Sequence, residues 1–342
     1  EQSDDPGSED VLSYLWDLGD GTTVSGTTTV QHSLVVELRQ NGHCGWGEAP
    51  ITQFYDATAE RIREGLETVR SMLEQWTLGE PAALWDACLP ALAENRFTLG
   101  AIDGAAHDLW GKLNAQPIST LWGTDPGAAP PSSYTIGMDT PDKMIAKLEE
   151  MPGWPVYKIK LGTADDLAVA RALRKRTDAP LRVDANCGWT AANAASLAVE
   201  LPALGVEFIE QPLPPDDHTA QKQLFQDSPL PLFADESCVV EEDVDACADR
   251  FHGINIKLCK CGGLTPARRM VDRARELNLQ VMVGCMTEST VGISAAAQLA
   301  PLVDFADLDG AVLLARDIAT GARVHAGGID LPETPGLGLT LI

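Results

Sequence analysis

The sequence predicts an α/β protein, a modified (β/α)8 barrel of the TIM type carried behind a smaller N-terminal α+β domain. Three observations carry the prediction. From Tyr134 onward, short apolar runs alternate strictly with Ala/Leu-rich segments of helical character. Lysines and acids recur every 22 to 26 residues, each at the downstream end of one of these runs: Lys158 and Lys160, Asp184, Glu210, Asp235 and Lys257. The residues before the first run follow a different pattern, a hairpin and then helices.

In chain order, the α+β domain is assigned to residues 1–125. Val30 to Leu38 is strand-like, Asn41-Gly42 is a hairpin turn, and Cys44 to Glu48 returns. Helical spacing runs from Asp56 to about Trp76, with Ile62, Leu66, Val69, Met72 and Leu73 on one face. Further helices are expected over Ala82–Leu92 and Leu99–Leu113. A Pro/Gly/Ala-rich stretch, Gly123 to Ser133, marks the boundary. The barrel is assigned to residues 126–326. Its strands are expected at Tyr134–Met138, Tyr157–Leu161, Leu181–Ala185, Val206–Glu210, Leu232–Asp235, Gly253–Leu258, Gln280–Val283 and Phe305–Asp309. Crossover helices such as Leu167–Arg176, Ala191–Leu201 and Pro266–Leu277 separate them. The Gly/Pro-rich segment 327–342 is expected to return to the first domain.

Composition narrows the function classes. Fifty acidic residues against 25 basic ones leave a formal charge of −25, which repels nucleic-acid phosphates and anionic membranes. The acidity fits a salty cytoplasm or ordinary drift. No apolar run approaches the ~18–20 residues of a membrane span. The eight cysteines are dispersed, as in a reducing cytoplasm. Cys259-x-Cys261 lacks the further soft ligands of a zinc site.

Lys158 and Lys160 alternate along one strand and share a face, so this apolar stretch needs anionic partners nearby. Asp184, Glu210 and Asp235 supply them. Three acids converging with few other ligands suit a hard divalent cation, Mg2+, one per subunit. Lys160 and Lys257 come from the second and sixth strands, on opposite sides of the barrel mouth. Two bases so placed remove a proton from one face of a carbon and return one to the other. For that role a lysine pKa must fall toward neutrality, and Lys158 and the cation push it there. Asp307 and Asp309 add two acids at the last strand. They suit a cationic substrate group such as a free α-amino group, or alternatively cap a loop.

These residues resemble the enolase superfamily, and within it the muconate-lactonizing-enzyme-like subgroup. The resemblance rests on Lys158-x-Lys160, Asp184-x-Asn186, Glu210-Gln211-Pro212 and Asp235-Glu236-Ser237. Asn255-Ile256-Lys257-x-x-Lys260-x-Gly262-Gly263 continues it, and Gly45-Trp46-Gly47-Glu48-Ala49 is similar to the hairpin of the capping domain. Lysine bases acting with Mg2+ are that superfamily's known pattern. Asp307-x-Asp309 is similar to the signature of dipeptide epimerases of the L-Ala-D/L-Glu type. The resemblance implies an isomerase moving a proton at the α-carbon of a dipeptide's C-terminal residue, through an enediolate, with Lys160 and Lys257 as acid and base. It implies Asp184, Glu210 and Asp235 as Mg2+ ligands, backed by Asn186 and Glu236. Thr135, Lys158, Cys285, Asp307 and Asp309 are implied as substrate contacts. A cytoplasmic homo-oligomer is expected, its partner a small-molecule dipeptide. The alternative on the same scaffold is a muconate cycloisomerase or o-succinylbenzoate synthase, neither of which has an amino group to bind. Enzymes of the type acting on Ala-Glu carry an arginine in a capping-domain loop. The corresponding stretch, Leu15 to Thr29, has none, with Gly26 near the expected position and Asp17 and Asp20 beside it. With Phe54 and Tyr55 in the second capping loop, this points to an apolar or cationic second residue rather than glutamate.

Overall fold

A computed structural model describes the backbone of residues 12–24 and 27–342, and side chains from His32 onward. The chain opens with an antiparallel sheet, β1 (Leu12–Val24), β2 (Thr27–Gln40) and β3 (His43–Pro50), in that order. Asn41 and Gly42, both at positive φ, turn β2 into β3 as the Asn-Gly pair predicts. The backbone of residues 15–19 and 23–24, expected to be a loop, is instead paired to β2, with an irregularity between Gly19 and Thr23. The side chains of Asp17 and Asp20, and Gly26 as a whole, lie outside the described residues.

Helices α1 (Ala59–Leu73) and α3 (Arg96–Leu113) pack on this sheet, and α2 (Pro81–Leu92) packs against both of them. Ile62, Leu66, Val69 and Leu73 of α1 are buried along one face, as their spacing requires. Thr58 caps that helix by accepting from Arg61 N. The glycines of Gly45-Trp46-Gly47 owe their place to close approach. A Cβ would lie 2.1 Å from Ala105 O at the first and 2.0 Å from Ala101 O at the second. Sheet and α3 therefore touch backbone to backbone.

After the short α4 (Ile118–Trp122) the barrel begins. Strands β4 (Tyr134–Ile136), β5 (Tyr157–Lys160), β6 (Leu181–Asp184) and β7 (Val206–Glu210) form its first half. Helices α5 (Pro141–Glu150), α6 (Asp166–Arg174) and α7 (Ala191–Glu200) alternate with them. The second half runs α8 (His218–Asp227), β8 (Leu232–Ala234), α9 (Asp243–Cys247), β9 (Gly253–Lys257) and α10 (Leu258–Cys261). It finishes with α11 (Leu264–Glu276), β10 (Gln280–Gly284), α12 (Thr290–Ala297) and β11 (Phe305–Asp307). The eight strands pair in sequence order, all parallel where they run as neighbours. A parallel bridge between Ser132 and Ala306 joins the two ends of the sheet.

Strand alternation divides the interior into layers. Phe208, Phe233 and Met282 form a buried apolar cluster with Phe305 against it. The Arg182 guanidinium lies 4.9 Å from the Phe305 ring centre and 2.9 Å from Glu207. Two residues further along these strands the same face carries Asp184, Glu210, Asp235 and Asp307. The apolar layer is a floor, and the charged layer stands on it at the carboxyl ends.

The first domain is tied to the barrel mouth. Trp85 Nε1 donates to Gly262 O at 2.7 Å, and Asp103 accepts from Thr265 N and Oγ1 at 2.9 and 2.7 Å. Near the carboxyl terminus, Gly336 exchanges backbone hydrogen bonds with Gln116 and Ile118, and Leu337 N donates to Asp108 at 2.9 Å.

Candidate active site

The three acids on β6, β7 and just after β8 meet at the barrel mouth. Asp184, Glu210 and Asp235 are all buried, and one carboxylate oxygen from each lies within 4.8 Å of the others. Among the described residues this is the group of potential metal ligands that comes together. Its all-oxygen donor set suits a hard divalent ion. Glu210 Oε2 is buried with no donor hydrogen aligned to it, although Lys158 Nζ stands 2.8 Å away. Such an oxygen fits a cation's ligand.

Lys158 holds the centre, 3.0 Å from Asp184 Oδ2 and 2.7 Å from Asp307 Oδ2. Burial works to discharge it, but the facing Asp184, Asp307 and Glu210 carry its pKa well above the ordinary lysine value. Burial likewise opposes charge on Asp184, yet Lys158 and Lys160 hold its carboxyl well below the usual range. For Glu210, burial and then the neighbouring Asp184 outweigh Lys158 and push the carboxyl up.

Lys160 Nζ donates to Asp184 Oδ2 at 2.5 Å and to Asn186 Oδ1 at 2.9 Å. Lys257 Nζ donates to Asp235 Oδ2 at 2.8 Å. Their strands, β5 and β9, stand four places apart in the eight-stranded sheet, so the two amines face each other across the acids. Burial and Lys158 lower the Lys257 pKa, in the direction expected from sequence, but Asp235, Glu210 and Asp184 outweigh them and hold it well above the ordinary lysine value.

Both lysines line one cavity of about 350 Å³, shared with Thr135, Lys158, Cys285, Asp307 and Asp309. Asn186, Asp235 and Glu236 also reach it. Asp309 lies two residues beyond the end of β11 rather than within it. The strand stops at Asp307, and a 3-10 turn begins at Gly310. The two acids nonetheless differ in state. Asp307 is held low, against burial, by Lys158, and accepts from Ser133 Oγ at 2.5 Å. Asp309 is pushed up by burial and by Asp307, while accepting from Thr135 N at 2.6 Å. Burial also raises the Cys285 thiol, so it stays protonated. Asn186 Nδ2 donates to Glu236 Oε1 at 3.1 Å. Cys259 and Cys261 join no metal cluster among the described residues; Cys261 Sγ donates to Leu258 O and Gly263 O.

Residue reasoning missed some groups that hold the site. Gln211 Oε1 accepts from Asp235 N and Ser237 N, both at 3.0 Å, stitching the end of β7 to that of β8. Lys260, 1% exposed, bonds Asp235 Oδ1. Both sit inside quoted motifs, Glu-Gln-Pro and Lys-x-x-Lys, and the spacing of the second was the available signal. Met286 and Leu313, which line the cavity mouth, carried none.

Residues 143–342 match the model of the enolase C-terminal domain-like family. The chain is 46% identical over 312 residues to an L-Ala-D/L-amino acid epimerase of Flavobacterium johnsoniae, covering 91% of this chain and 93% of that one. It belongs to the enolase C-terminal domain-like family. Among solved members, the dipeptide epimerase of Methylococcus capsulatus complexed with Mg superposes with a TM-score of 0.87 at 30% identity, covering 97% and 100% of the two chains. The muconate lactonizing enzyme of Klebsiella pneumoniae superposes as well, with a TM-score of 0.88 at 29% identity and coverage of 98% and 96%. Backbone likeness does not separate these two enolase-family activities; the side chains around the cavity must.

Proposed function

We propose that this chain is a Mg2+-dependent dipeptide epimerase, inverting the α-carbon of the C-terminal residue of a dipeptide. One observation carries the reading: Lys160 and Lys257 face each other across three buried acids, in the same cavity as Asp307 and Asp309. Asp184, Glu210 and Asp235 would hold the ion, which would supply positive charge against the negative charge that builds on the substrate carboxylate. Lys160 takes the α-proton on one face and Lys257 delivers one on the other, with the roles exchanged in the reverse direction. Lys158 and Thr135 lie along the path of the substrate carboxylate, and Cys285 packs beside it as a neutral thiol. Asp307 and Asp309 receive the substrate's ammonium group.

The second acid argues against a muconate-type cycloisomerase. Lys158 bonds Asp307, whereas Asp309 accepts from Thr135 N and Oγ1 and is the acid left to receive a cationic group. A cycloisomerase substrate, without an amino group, leaves that acid unused. Phe54, Met286 and Leu313 at the mouth favour an apolar second residue in the dipeptide over a cationic one. The 1–125, 126–326 and 327–342 division is part of the same reading, with the first segment as cap. Eight free thiols suit a reducing cytoplasm. Homo-oligomerisation is the remaining element, tested by light scattering.

A library of L,L-dipeptides incubated with Mg2+ in D₂O tests the activity. Deuterium at the α-carbon of the C-terminal residue, with inversion, is expected for apolar members. No exchange anywhere in the library, with turnover of a muconate-type substrate, would replace the reading with the cycloisomerase.

A further inference from the structure

The three acids share a pattern that their identity as ligands does not require. Each has one oxygen engaged from behind and the other turned toward the lysines. Asn186 N donates to Asp184 Oδ1 at 3.0 Å, and Asn255 Nδ2 donates to Glu210 Oε1 at 2.8 Å. Lys260 Nζ donates to Asp235 Oδ1 and is itself fixed by Asp235 O at 2.6 Å and Cys238 O at 3.2 Å. The opposite oxygens meet the site. Asp184 Oδ2 and Glu210 Oε2 both stand within 3.0 Å of Lys158 Nζ, and Asp235 Oδ2 is 2.8 Å from Lys257 Nζ. Asn255 and Lys260 are almost wholly buried, so water cannot replace them cheaply.

We propose that Asn186, Asn255 and Lys260 set the ion choice of the site by confining each acid to one oxygen, which favours Mg2+ over Ca2+. The inference rests on the Mg2+ reading above and extends it to the groups that hold the three acids from behind. Mg2+ demands six ligands in near-ideal octahedral geometry, whereas Ca2+ takes more, often with both oxygens of a carboxylate. A carboxylate whose outer oxygen is held by a buried hydrogen bond is fixed in rotation, and turning it to present both oxygens to one ion strains that bond. The cost falls on the larger ion alone. Asn186, Asn255 and Lys260 are positioning residues in this account.

Calorimetric titration of the metal-stripped full chain with MgCl2 and with CaCl2 provides the test. Lys260→Met removes a positive charge and so strengthens binding of any divalent cation, but that effect is common to both ions and cancels in the ratio of their dissociation constants. The ratio of the Ca2+ constant to the Mg2+ constant is expected to fall by about tenfold or more in the variant. Asn255→Ala frees the Glu210 oxygen without changing charge and carries the same expectation should the lysine variant fail to fold, as judged by circular dichroism. A ratio unchanged in the folded variants, with the parent protein binding Mg2+, overturns the ion-selection proposal and leaves the metal reading standing. Absence of Mg2+ binding in the parent overturns both.

Discussion

Lys160 bonds Asp184 and Lys257 bonds Asp235 from opposite walls of the barrel, so in the proposed mechanism each serves one face of the substrate carbon. Lys160→Ala and Lys257→Ala are each expected to lower kcat/KM for epimerisation by about 10²–10⁴, the usual contribution of a positioned acid or base. Each variant should retain α-proton exchange with one stereoisomer, a different one in each case. Proton exchange in D₂O followed by NMR for both isomers checks this, and full inversion by either variant would refute the two-base assignment. Asp309 makes a pH prediction. Burial and then Asp307 push its carboxyl up to about 7, against ~3.9 for a free aspartate. The folded chain thus binds this proton more tightly than the unfolded one, and the contribution to stability falls as pH rises from ~4 toward 7. Asp309→Asn should flatten that part of a Tm-against-pH profile. Ionised Asp309 also attracts an ammonium, so KM for the dipeptide should fall as pH rises through the same range. In Asp309→Asn that fall should vanish.

At the scale of elements, the site depends on strand ends held in register. β5 to β9 place interior residues two apart, so Phe208 lies under Glu210 and Phe233 under Asp235, with Arg182 under Asp184, and these acids cannot shift without that layer. The cap is fixed as tightly. β3 meets α3 through Gly45 and Gly47, and Glu48 on the same strand accepts from Ser289 N and Oγ and from Gly292 N of the barrel. Gly47→Ala would drive a methyl into Ala101 O and is expected to destabilise by about 1–3 kcal/mol. Urea unfolding should show it as a lowered midpoint. Because β3 also carries Glu48, the second capping loop with Phe54 and Tyr55 should shift too, so KM should rise more than kcat falls.

For the whole molecule, ion binding and folding are linked. If the three acids hold Mg2+, the ion stabilises only the folded chain, by about 2.7 kcal/mol at one hundred times its dissociation constant. Thermal unfolding should therefore move up with MgCl2 and return with a chelator. Asp184→Asn should abolish the shift. The charge of −25 makes a separate contribution, since mutual repulsion opposes the compact state and salt screens it. Controls at matched ionic strength with KCl separate screening from binding.

Much of this was legible along the chain because a parallel barrel strand is a local signal. A short apolar run, a charge at its end and a helix after it follow from the geometry of one β/α unit. For this reason the expected strands match the observed ones to within two residues, and Lys158, Lys160, Asp184, Glu210, Asp235 and Lys257 could be named beforehand. Asp309 was assigned to a strand it lies beyond, because period-two spacing persists in sequence after backbone pairing has stopped. Lys260, Asn255 and Gln211 were not assigned because their partners are remote in sequence. Lys260 meets Asp235 from 25 positions away, and Asn255 meets Glu210 from 45. The sequence by itself determined the barrel, the order of its charged residues and the chemistry they can perform. Only the tertiary structure decided which oxygen each acid presents, which lysine balances which acid, and what lies behind them, since those are matters of distance across the barrel and chain order is silent about them.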